Sequence, residues 1–250
     1  MSGHSKWATI KHKKSREDAK RGKLFGKLSR AIMVAARNGS NPDINTALAN
    51  AIAKAKSYSM PADSIERAIK KGAGELGADA YEELTYEGFG PARVAIMVDI
   101  MTDNRNRTAA DIRHIFTKYG GSLGSAGSVA WMFDRKGIIA INKTHPIGEE
   151  ELLALAIEAG AEDMMSEDDQ WQITTDPAEF SFVKNVIEKH GVSIAHSEIA
   201  LIPKSPVKLD KDEAAKVLRL VDALEDNDDV QDVYSNFDIP ADVLEELTST

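Results

Sequence analysis

The stretch GIIAINKTHPIGEEELLALAIEAGAEDMMSEDDQWQITTDPAEFSFVKNVIEKHGVSIAHSEIALI, residues 137–202, decides the fold prediction for this chain. Its hydrophobic pattern predicts strand, helix, strand, strand, helix and strand, which is the order of a ferredoxin-like α/β unit. The pieces are GIIAIN at 137–142, EEELLALAIEAG at 149–160, EDMMS at 162–166, WQITT at 171–175, a helix over 177–190 and IAHSEIALI at 194–202. The string is complete in itself, so it predicts an inserted domain at residues 136–205.

The segments on both sides of this unit are incomplete by themselves. Residues 84–133 have the pattern strand, strand, helix, strand, in which the strands are LTYEG, RVAIMVDIM and SVAWMF and the helix covers 108–119. The C-terminal flank adds a strand VKL, a helix over 211–225 and a strand VQDVYSNF. We therefore expect the two flanks to complete one sheet, as a discontinuous α/β domain of residues 79–135 and 206–240.

Four glycines, at positions 120, 121, 124 and 127, separate the helix of the first flank from the strand SVAWMF. This loop leaves a helix and enters a strand, whereas the glycine-rich loops that bind phosphate leave a strand and enter a helix. A flexible connection is therefore the expected role of the loop.

Three short helices are predicted within residues 1–78. The first covers 17–38, and the second has Pro42 in its first turn. The third begins with Asp63 and Glu66 at capping-box spacing and ends at the next glycine. The whole pattern predicts an α+β multidomain protein: a basic arm and three-helix N-terminal domain, then two small α/β (ferredoxin-like) domains, the last inserted in the middle one.

Positive charge is concentrated at the N-terminus. The first 37 residues contain eleven Lys and Arg against two acidic residues, although the whole chain has a net charge of −9. A charge split of this kind indicates that one end of the protein meets a polyanion. The alternative is a solvated face with no partner, but such faces normally mix charges of both signs.

Residues 2–16 show no sustained period and predict a mobile arm. It leads into a helix whose cations, except Arg21, lie away from its apolar face. An arm and helix of this type suit a phosphate backbone. Trp7 could stack on an unpaired base or pack the arm against the helices, and both roles stay open. The predicted nucleic-acid contacts in this segment are Lys6, Trp7, Lys11, His12, Lys13, Lys14, Arg16, Lys20, Lys23, Lys27 and Arg30.

The loop TDNRNRT at 102–108 is a second candidate site. It joins a strand to a helix, and Thr108 and Asp111 fit a capping box at the start of that helix. Free backbone N–H groups would then converge with Arg105 and Arg107 on one spot that suits a phosphate. Alternatively, the arginines pair with nearby carboxylates and the asparagines only shape the turn. The carboxylates considered are Asp99, Asp103 and Glu87.

Composition excludes several classes of site. The chain has no cysteine, which rules out disulfides, thiolate metal sites and cysteine nucleophiles. No apolar run is long enough to cross a bilayer and no signal peptide is recognised, so a cytoplasmic protein without a membrane partner is expected. The acidic runs at 167–169 and 226–229 lack EF-hand spacing and are expected to be solvated loops. We therefore predict no metal site and no cofactor.

Two other function classes compete with nucleic-acid binding. An enzyme would use Asp103, Asp111 and His114 as a hydrolytic or metal site. No nucleophile with a paired base accompanies these residues, so no catalytic residue is predicted. An interaction or effector-sensing module is the other class, because ferredoxin-like units host many unrelated functions.

Six motifs, taken in order, match a known family. They are GHSKW at 3–7, IKHKK at 10–14, MPADSIERAIKKGAG at 60–74, YEGFGP at 86–91, TDNRNRT at 102–108 and GSVAWMF at 127–133. On these motifs the chain resembles the YebC family, often named probable transcriptional regulatory proteins, whose mitochondrial relatives are translational activators of cytochrome c oxidase. One departure is Ala92-Arg93 after the GFGP turn, where a glycine-rich continuation is expected.

The resemblance implies a helical N-terminal domain, a discontinuous α/β second domain and an inserted third domain. It also implies a cytoplasmic nucleic-acid-binding role, on DNA in some members and on the ribosome in others, where it helps translation through stretches such as consecutive prolines. We therefore expect a non-enzymatic regulatory factor that docks through its basic N-terminal domain on ribosomal RNA or the ribosome. A DNA-binding transcriptional regulator is the alternative, and a monomer is expected.

Overall fold

The computed structural model describes residues 18–75, 81–167, 169–240, 243 and 246–247. It contains two compact units: the first combines the described parts of Met1–Phe133 and Pro203–Thr250, and the second is Asp134–Ile202. In chain order the elements are α1 (Asp18–Ala36), α2 (Thr46–Ser57), α3 (Ala62–Gly72), β1 (Glu82–Phe89), β2 (Ala95–Thr102), α4 (Arg105–Lys118), β3 (Ser122–Leu123), β4 (Phe133–Asn142), α5 (Glu149–Glu158), β5 (Asp163–Ser166), β6 (Gln170–Thr175), α6 (Phe180–Lys189), β7 (His196–Pro203), β8 (Val207–Lys208), α7 (Lys211–Glu225), β9 (Val230–Ser235) and β10 (Phe237–Asp238). The fold is α+β, as the sequence predicts. Among the described helices, none combines the length and apolar character that a membrane span requires.

The second unit has the predicted ferredoxin-like order of elements. Its strands form one sheet in the order β5-β6-β4-β7, so the first strand of the unit lies in the interior of the sheet. β4 is antiparallel to β6, from Gly137 opposite Thr175 to Asn142 opposite Gln170. Alternate residues of β6 are buried, and apolar side chains of α5 and α6 join them in one core. The period of two in the sequence therefore corresponds to one covered face of this sheet.

The first unit contains a second sheet, in the order β3-β1-β2-β9. Strands from both flanks of the second unit therefore meet in one sheet. Ile96, Val98 and Ile100 of β2 alternate along the strand and are buried on one face. The same apolar cluster includes Phe116 of α4 and Leu220 of α7, so both helices pack on that face. Full burial of such side chains contributes about 1.5–3 kcal/mol each, so this core stabilises the first unit.

The strand VKL does not join this sheet, which corrects the expectation from the sequence. β8 pairs in parallel with β10 in a separate two-stranded sheet. The chain changes sheets at Asn236, which is fully buried and interrupts the predicted strand VQDVYSNF between β9 and β10. Its side chain accepts a hydrogen bond from the Ala95 N–H (2.8 Å) and donates one to the Ser205 carbonyl (3.1 Å). A buried amide with both groups satisfied holds the chain at this crossover.

The predicted strand SVAWMF is mostly a turn. Ala130–Met132 form a short 3₁₀ helix, and β4 begins only at Phe133. The N–H groups of Val129 and Ala130 each donate to the buried Glu87 carboxylate at 2.8 Å. These donors are therefore not available to a neighbouring strand, and a long-range contact overrides the local strand propensity.

The three N-terminal helices form an apolar cluster of their own. α1 and α3 approach closely at Gly72, where a Cβ atom would lie 2.3 Å from the Met33 carbonyl oxygen. No side chain caps the start of α3, so the capping box predicted from Asp63 and Glu66 does not form. Pro61 occupies the N-cap position instead, and its φ of −59° and ψ of 140° lead the chain into the helix. The buried members of the cluster are Leu28, Ile32, Ala36, Leu48, Ala55, Met60, Ile65 and Ala68.

The connection between α1 and α2 also differs from the prediction. Pro42 lies in a turn before α2 and not in its first turn. Asn45 is the N-cap, and its side-chain oxygen accepts a hydrogen bond from the Leu48 N–H at 3.1 Å. The amide nitrogen of the same side chain donates to the carbonyls of Ala35 (2.8 Å) and Gly39 (2.7 Å). One buried asparagine thus joins the end of α1 to the start of α2, which selects this start over the one at the proline.

The hairpin between β1 and β2 has a strained tip. Ala92 and Arg93 adopt positive φ values of 54° and 58°. A residue with a Cβ atom in this region costs about 1–2 kcal/mol, whereas glycine adopts it freely. These are the two positions at which the family resemblance leads us to expect glycine. The turn therefore keeps a glycine-type backbone without glycine, at some cost in stability.

Candidate nucleic-acid interface

The predicted contacts of the N-terminal segment are only partly within the described residues. The arm contacts lie outside them, and for Lys20, which lies in α1, the side chain is also outside the described part. These assignments stay predictions. The arm contacts in question are Lys6, Trp7, Lys11, His12, Lys13, Lys14 and Arg16.

Three of the described cations of α1 lie against residues 225–229, of sequence EDNDD, which we call the acidic loop. Lys23, Lys27 and Arg30 are spaced by four and three residues, so they share one side of the helix. The Lys23 ammonium donates to a carboxylate oxygen of Asp226 at 2.7 Å. Lys27 and Arg30 donate to main-chain carbonyls of the same loop. Three predicted phosphate contacts therefore have partners inside the protein.

The dipole of α7 favours this contact. The C-terminal end of a helix carries unpaired carbonyls and a partial negative charge. α7 has no basic residue in its own last turn, and the cations of α1 take that role from outside the helix. The hydrogen bond with Asp226 raises the pKa of Lys23 by more than desolvation lowers it, so the ammonium group stays charged.

Sequence reasoning missed the acidic loop as a partner of α1 and treated it as a solvated loop. The signal for it was present, because Asp226, Asp228 and Asp229 directly follow the end of α7. Helices normally prefer cations at this end. A run of acidic residues there indicates that cations from another part of the chain complete the site.

The loop TDNRNRT is organised differently from the prediction. Asn104 caps α4, and its side-chain oxygen accepts a hydrogen bond from the Arg107 N–H at 3.1 Å. Thr108 is therefore inside the helix and forms no capping box; its hydroxyl group donates to the Asp229 carboxylate at 2.7 Å. Arg107 is ion-paired, whereas Arg105 is exposed and has no polar partner among the described residues. The structure thus gives the two arginines no common partner.

Asp229 connects the acidic loop to β2, α4 and α1. Its carboxylate accepts hydrogen bonds from Thr108, from Arg107 Nη2 at 3.0 Å and from the Thr102 hydroxyl group at 3.2 Å. The Arg30 guanidinium lies 3.9 Å away, and only 14% of the Asp229 side chain is exposed. Burial raises the pKa of Asp229, but the hydrogen bonds from Thr108 and Arg107 lower it by a larger amount. The net shift of this pKa is therefore downward. The carboxylate is therefore ionised at neutral pH.

A polar cleft of about 420 Å³ opens beside this network. Asp103 and Asp111, two residues considered for an enzyme, line the cleft, whereas His114 does not. Asp103 pairs with Arg107 at 2.8 Å, as the alternative reading of the loop predicts. Across the part of the chain that the structure describes, no cluster of three or more His, Asp or Glu side chains could hold a metal ion. The cleft is therefore lined by ion-paired side chains.

A buried carboxylate orders the glycine-rich loop after α4, which corrects the expectation of a flexible connection. Glu87 is 8% exposed and accepts hydrogen bonds from the N–H groups of Gly127 (2.6 Å), Val129 (2.8 Å) and Ala130 (2.8 Å). Burial raises the pKa of Glu87, but the three backbone hydrogen bonds lower it by more. The loop held in this way presents Trp131, whose side chain is exposed.

We expect Glu87→Gln to lower the free energy of unfolding of the first unit by about 2 kcal/mol at neutral pH. Both carboxylate oxygens of Glu87 accept hydrogen bonds, whereas a glutamine amide has only one acceptor oxygen. The NH₂ group of the amide would therefore face a backbone N–H, donor against donor. The matched control is Glu83→Gln, an exposed residue of the same strand, with an expected change within about 0.5 kcal/mol. Chemical denaturation followed by circular dichroism measures both changes.

The stability difference between wild type and Glu87→Gln depends on pH. Because the pKa of Glu87 is lower in the folded state, its contribution is complete above the unfolded value of about 4.3 and is lost as the pH falls through the folded pKa. The stability difference between wild type and Glu87→Gln should therefore shrink in acid. A difference that stays constant down to about pH 3 would contradict this assignment.

Comparison with known proteins matches nearly the whole chain. The TACO1/YebC protein N-terminal domain matches residues 5–75, and the TACO1/YebC second and third domain matches residues 81–237. A relative from Halothermothrix orenii, named probable transcriptional regulatory protein, is 54% identical over 252 residues, 99% of each chain. A relative from Natranaerobius thermophilus with the same name is 55% identical over 248 residues, 98% of this chain and 99% of its own.

A solved structure supports the same assignment. The crystal structure of a conserved hypothetical protein from Aquifex aeolicus has a TM-score of 0.80 and 51% sequence identity to this chain. The match covers 89% of this chain and 92% of the other. Sequence, fold and both domain models agree, and the chain belongs to the TACO1/YebC family.

Proposed function

We propose that this protein is a non-enzymatic regulatory factor that binds nucleic acid through its basic N-terminal segment. The observation that carries the proposal is the charge distribution, with eleven Lys and Arg against two acidic residues in the first 37 positions of a chain with net charge −9. Lys and Arg that neutralise phosphates release condensed counterions, which supplies affinity for any nucleic acid. The name of the relatives, probable transcriptional regulatory protein, supports a regulatory role.

Among the described residues, the proposed contacts differ in whether they already have a partner inside the protein. The arm supplies the first anchor. Lys23, Lys27 and Arg30 of α1 supply the second, although the acidic loop holds them. Arg105 lies exposed in the first turn of α4, where backbone N–H groups favour an anion, and Arg107 beside it is ion-paired. We therefore assign first contact with phosphate to the arm and to Arg105.

The first proposed target is ribosomal RNA within the ribosome, in support of translation through difficult stretches such as consecutive prolines. A basic segment that carries Trp7 suits unpaired bases, which RNA loops offer and duplex DNA does not. DNA is the second candidate, and the name of the relatives favours it. In this proposal the protein acts as a cytoplasmic monomer of three domains, without metal or cofactor. The domains are residues 1–78, residues 79–135 with 206–240, and residues 136–205.

Crosslinking in cells tests the target. The protein is crosslinked to nucleic acid by ultraviolet light, purified under denaturing conditions, and the bound nucleic acid is sequenced. We expect ribosomal RNA to be enriched over messenger RNA and over chromosomal DNA. Recovery of specific DNA sites without ribosomal RNA would reject the ribosomal target and leave the second candidate.

Charge reversal tests the mode of binding. The triple change Lys11→Glu, Lys13→Glu and Lys14→Glu should weaken binding similarly for all sequences and flatten the slope of log K against log salt by about two to three, because phosphate contacts are lost. The control reverses three exposed lysines elsewhere, and should leave most of the slope intact. The control positions are Lys189, Lys208 and Lys216. A loss confined to certain sequences would show that the arm reads bases.

A further inference from the structure

Charged contacts join the three N-terminal helices to the rest of the first unit. The apolar cluster of these helices, around Ile32 and Leu48, is separate from the cluster around Phe116 and Val221. Several polar contacts cross between the two parts. They are Lys23 with Asp226, Lys27 with the Glu225 carbonyl, Arg30 with the Asp228 carbonyl and with Asp229, Arg37 with the Tyr81 carbonyl, and Lys54 with Asp232.

Apolar packing between the two parts is incomplete. A cleft of about 350 Å³ lies between the helices and the sheet. Ala31, Ala47 and Ala51 line it from the helices, and Met101 lines it from β2. Stabilisation from apolar burial is proportional to the area buried, and small side chains around an open cleft bury little. The charged contacts therefore join two parts whose apolar interface is incompletely packed.

The acidic loop offers α1 the same chemistry as a nucleic-acid backbone. Its carboxylates are charged acceptors and its main-chain carbonyls carry a partial negative charge, and they follow one another along a chain. Lys23, Lys27 and Arg30 form the complementary row of donors on one side of α1. Each donor group that is bound to the acidic loop is withheld from a phosphate. The loop and a nucleic acid therefore compete for the same three cations.

We infer that the acidic loop is an intramolecular competitor for nucleic-acid phosphates, which holds α1 against the α/β part of the first unit until a polyanion displaces it. The inference rests on the proposed function and adds a regulation of that site. The arm and Arg105 make the first contact, and a high local density of phosphates then replaces the loop. Isolated anions lack this density, so the competition favours polyanionic targets over small ones.

The competition has a signature in the salt dependence. Binding of α1 to phosphates releases counterions from the nucleic acid, but the vacated acidic loop takes up cations in exchange. The net release is therefore smaller in the wild type than in a protein whose loop is neutral. Removal of negative charge from the loop should make the slope of log K against log salt steeper. Removal of the same charge elsewhere on the surface should leave this slope unchanged.

The first test removes two of the four negative charges of the loop. Asp226→Asn with Asp228→Asn should bind a fluorescein-labelled oligouridine about five-fold more tightly than wild type, a modest gain because exposed ion pairs of this kind are weak. The matched control is Asp63→Asn with Asp212→Asn, which removes the same charge from exposed positions of the first unit outside the loop. We expect the control to change affinity by less than about two-fold and to keep the wild-type slope. Equal tightening in both variants would overturn the inference.

The second test locks the contact. The chain has no cysteine, so Lys23→Cys with Asp226→Cys can be joined specifically by a short bis-maleimide. The same variant capped with N-ethylmaleimide has the same composition but an open contact. We expect the locked form to bind the oligouridine about ten-fold more weakly, with a shallower salt slope, because Lys27 and Arg30 stay with the loop. Equal affinity of the locked and capped forms would overturn the inference.

The outcomes separate this inference from the proposed function. Absence of binding to oligouridine and to duplex DNA in every variant, wild type included, overturns the proposed function and the competition together. Binding by the wild type that is insensitive to both the loop changes and the lock overturns the competition alone. Circular dichroism of each variant confirms that the helices are intact.

Discussion

Asp229→Ala is expected to lower the free energy of unfolding of the first unit by about 3 kcal/mol. The carboxylate of Asp229 accepts hydrogen bonds from Thr102, Arg107 and Thr108 and lies near Arg30. Its removal leaves Arg107 and two buried threonines, Thr102 and Thr108, without their common acceptor. The depressed pKa of Asp229 points the same way, because it shows that the folded protein stabilises the ionised form.

Asp103→Ala is the matched control for this change. Asp103 pairs with the same arginine, Arg107, at 2.8 Å, but 54% of its side chain is exposed. An exposed ion pair contributes about 1 kcal/mol or less, so the control should have a small effect. Urea denaturation of both variants and hydrogen exchange of the α4 and β9 amides give the comparison. Equal losses in the two variants would show that Asp229 is not the centre of the network.

Gly72→Ala is expected to lower the free energy of unfolding of the three N-terminal helices by about 3 kcal/mol. The new Cβ would lie 2.3 Å from the Met33 carbonyl oxygen, 2.7 Å from the Met33 Cα and 2.8 Å from the Ala36 Cβ. Two of these atoms belong to the backbone of α1, which cannot rotate away as a side chain does. α3 would have to move off α1 and lose apolar contacts in the cluster that holds the helices together.

Gly22→Ala tests whether this effect is steric or conformational. Gly22 lies within α1, and a Cβ there would meet no heavy atom within 4 Å. Alanine has a higher helix propensity, so this change should stabilise the protein by about 0.5–1 kcal/mol. Hydrogen exchange of the α1 and α3 amides, together with thermal unfolding, measures both variants. A Gly72→Ala protein as stable as Gly22→Ala would mean that the two helices are not in close contact.

Local pattern was enough to predict much of the fold. The string at 137–202 predicts its elements in the order found in β4 to β7, because the side-chain periods of strands and amphipathic helices are written directly in the sequence. Predictions failed where a distant residue competes for the backbone. The Glu87 carboxylate takes the N–H groups of the expected strand SVAWMF, and Asn236 divides the strand VQDVYSNF.

The candidate site was predicted less completely than the fold. The excess of positive charge in the first 37 residues indicates a polyanion partner from composition alone. The arm contacts stay predictions, since they lie outside the described residues. The role of Arg107 depended on the position of Asp229, which is 122 residues away in the chain. Motif spacing carries no information about a partner at that distance.

By itself, the sequence determined the α+β class, the ferredoxin-like order of residues 137–202 and the basic character of the N-terminal segment. Those properties depend on periodicity and charge within short windows. Only the tertiary structure decided that Lys23 meets Asp226, 203 residues later, at the negative end of α7. The positive charge of a side chain does not specify its partner, so a row of cations is equally suited to phosphates or to carboxylates. The contact between α1 and the C-terminal end of α7 settles which anion the row binds within the protein itself.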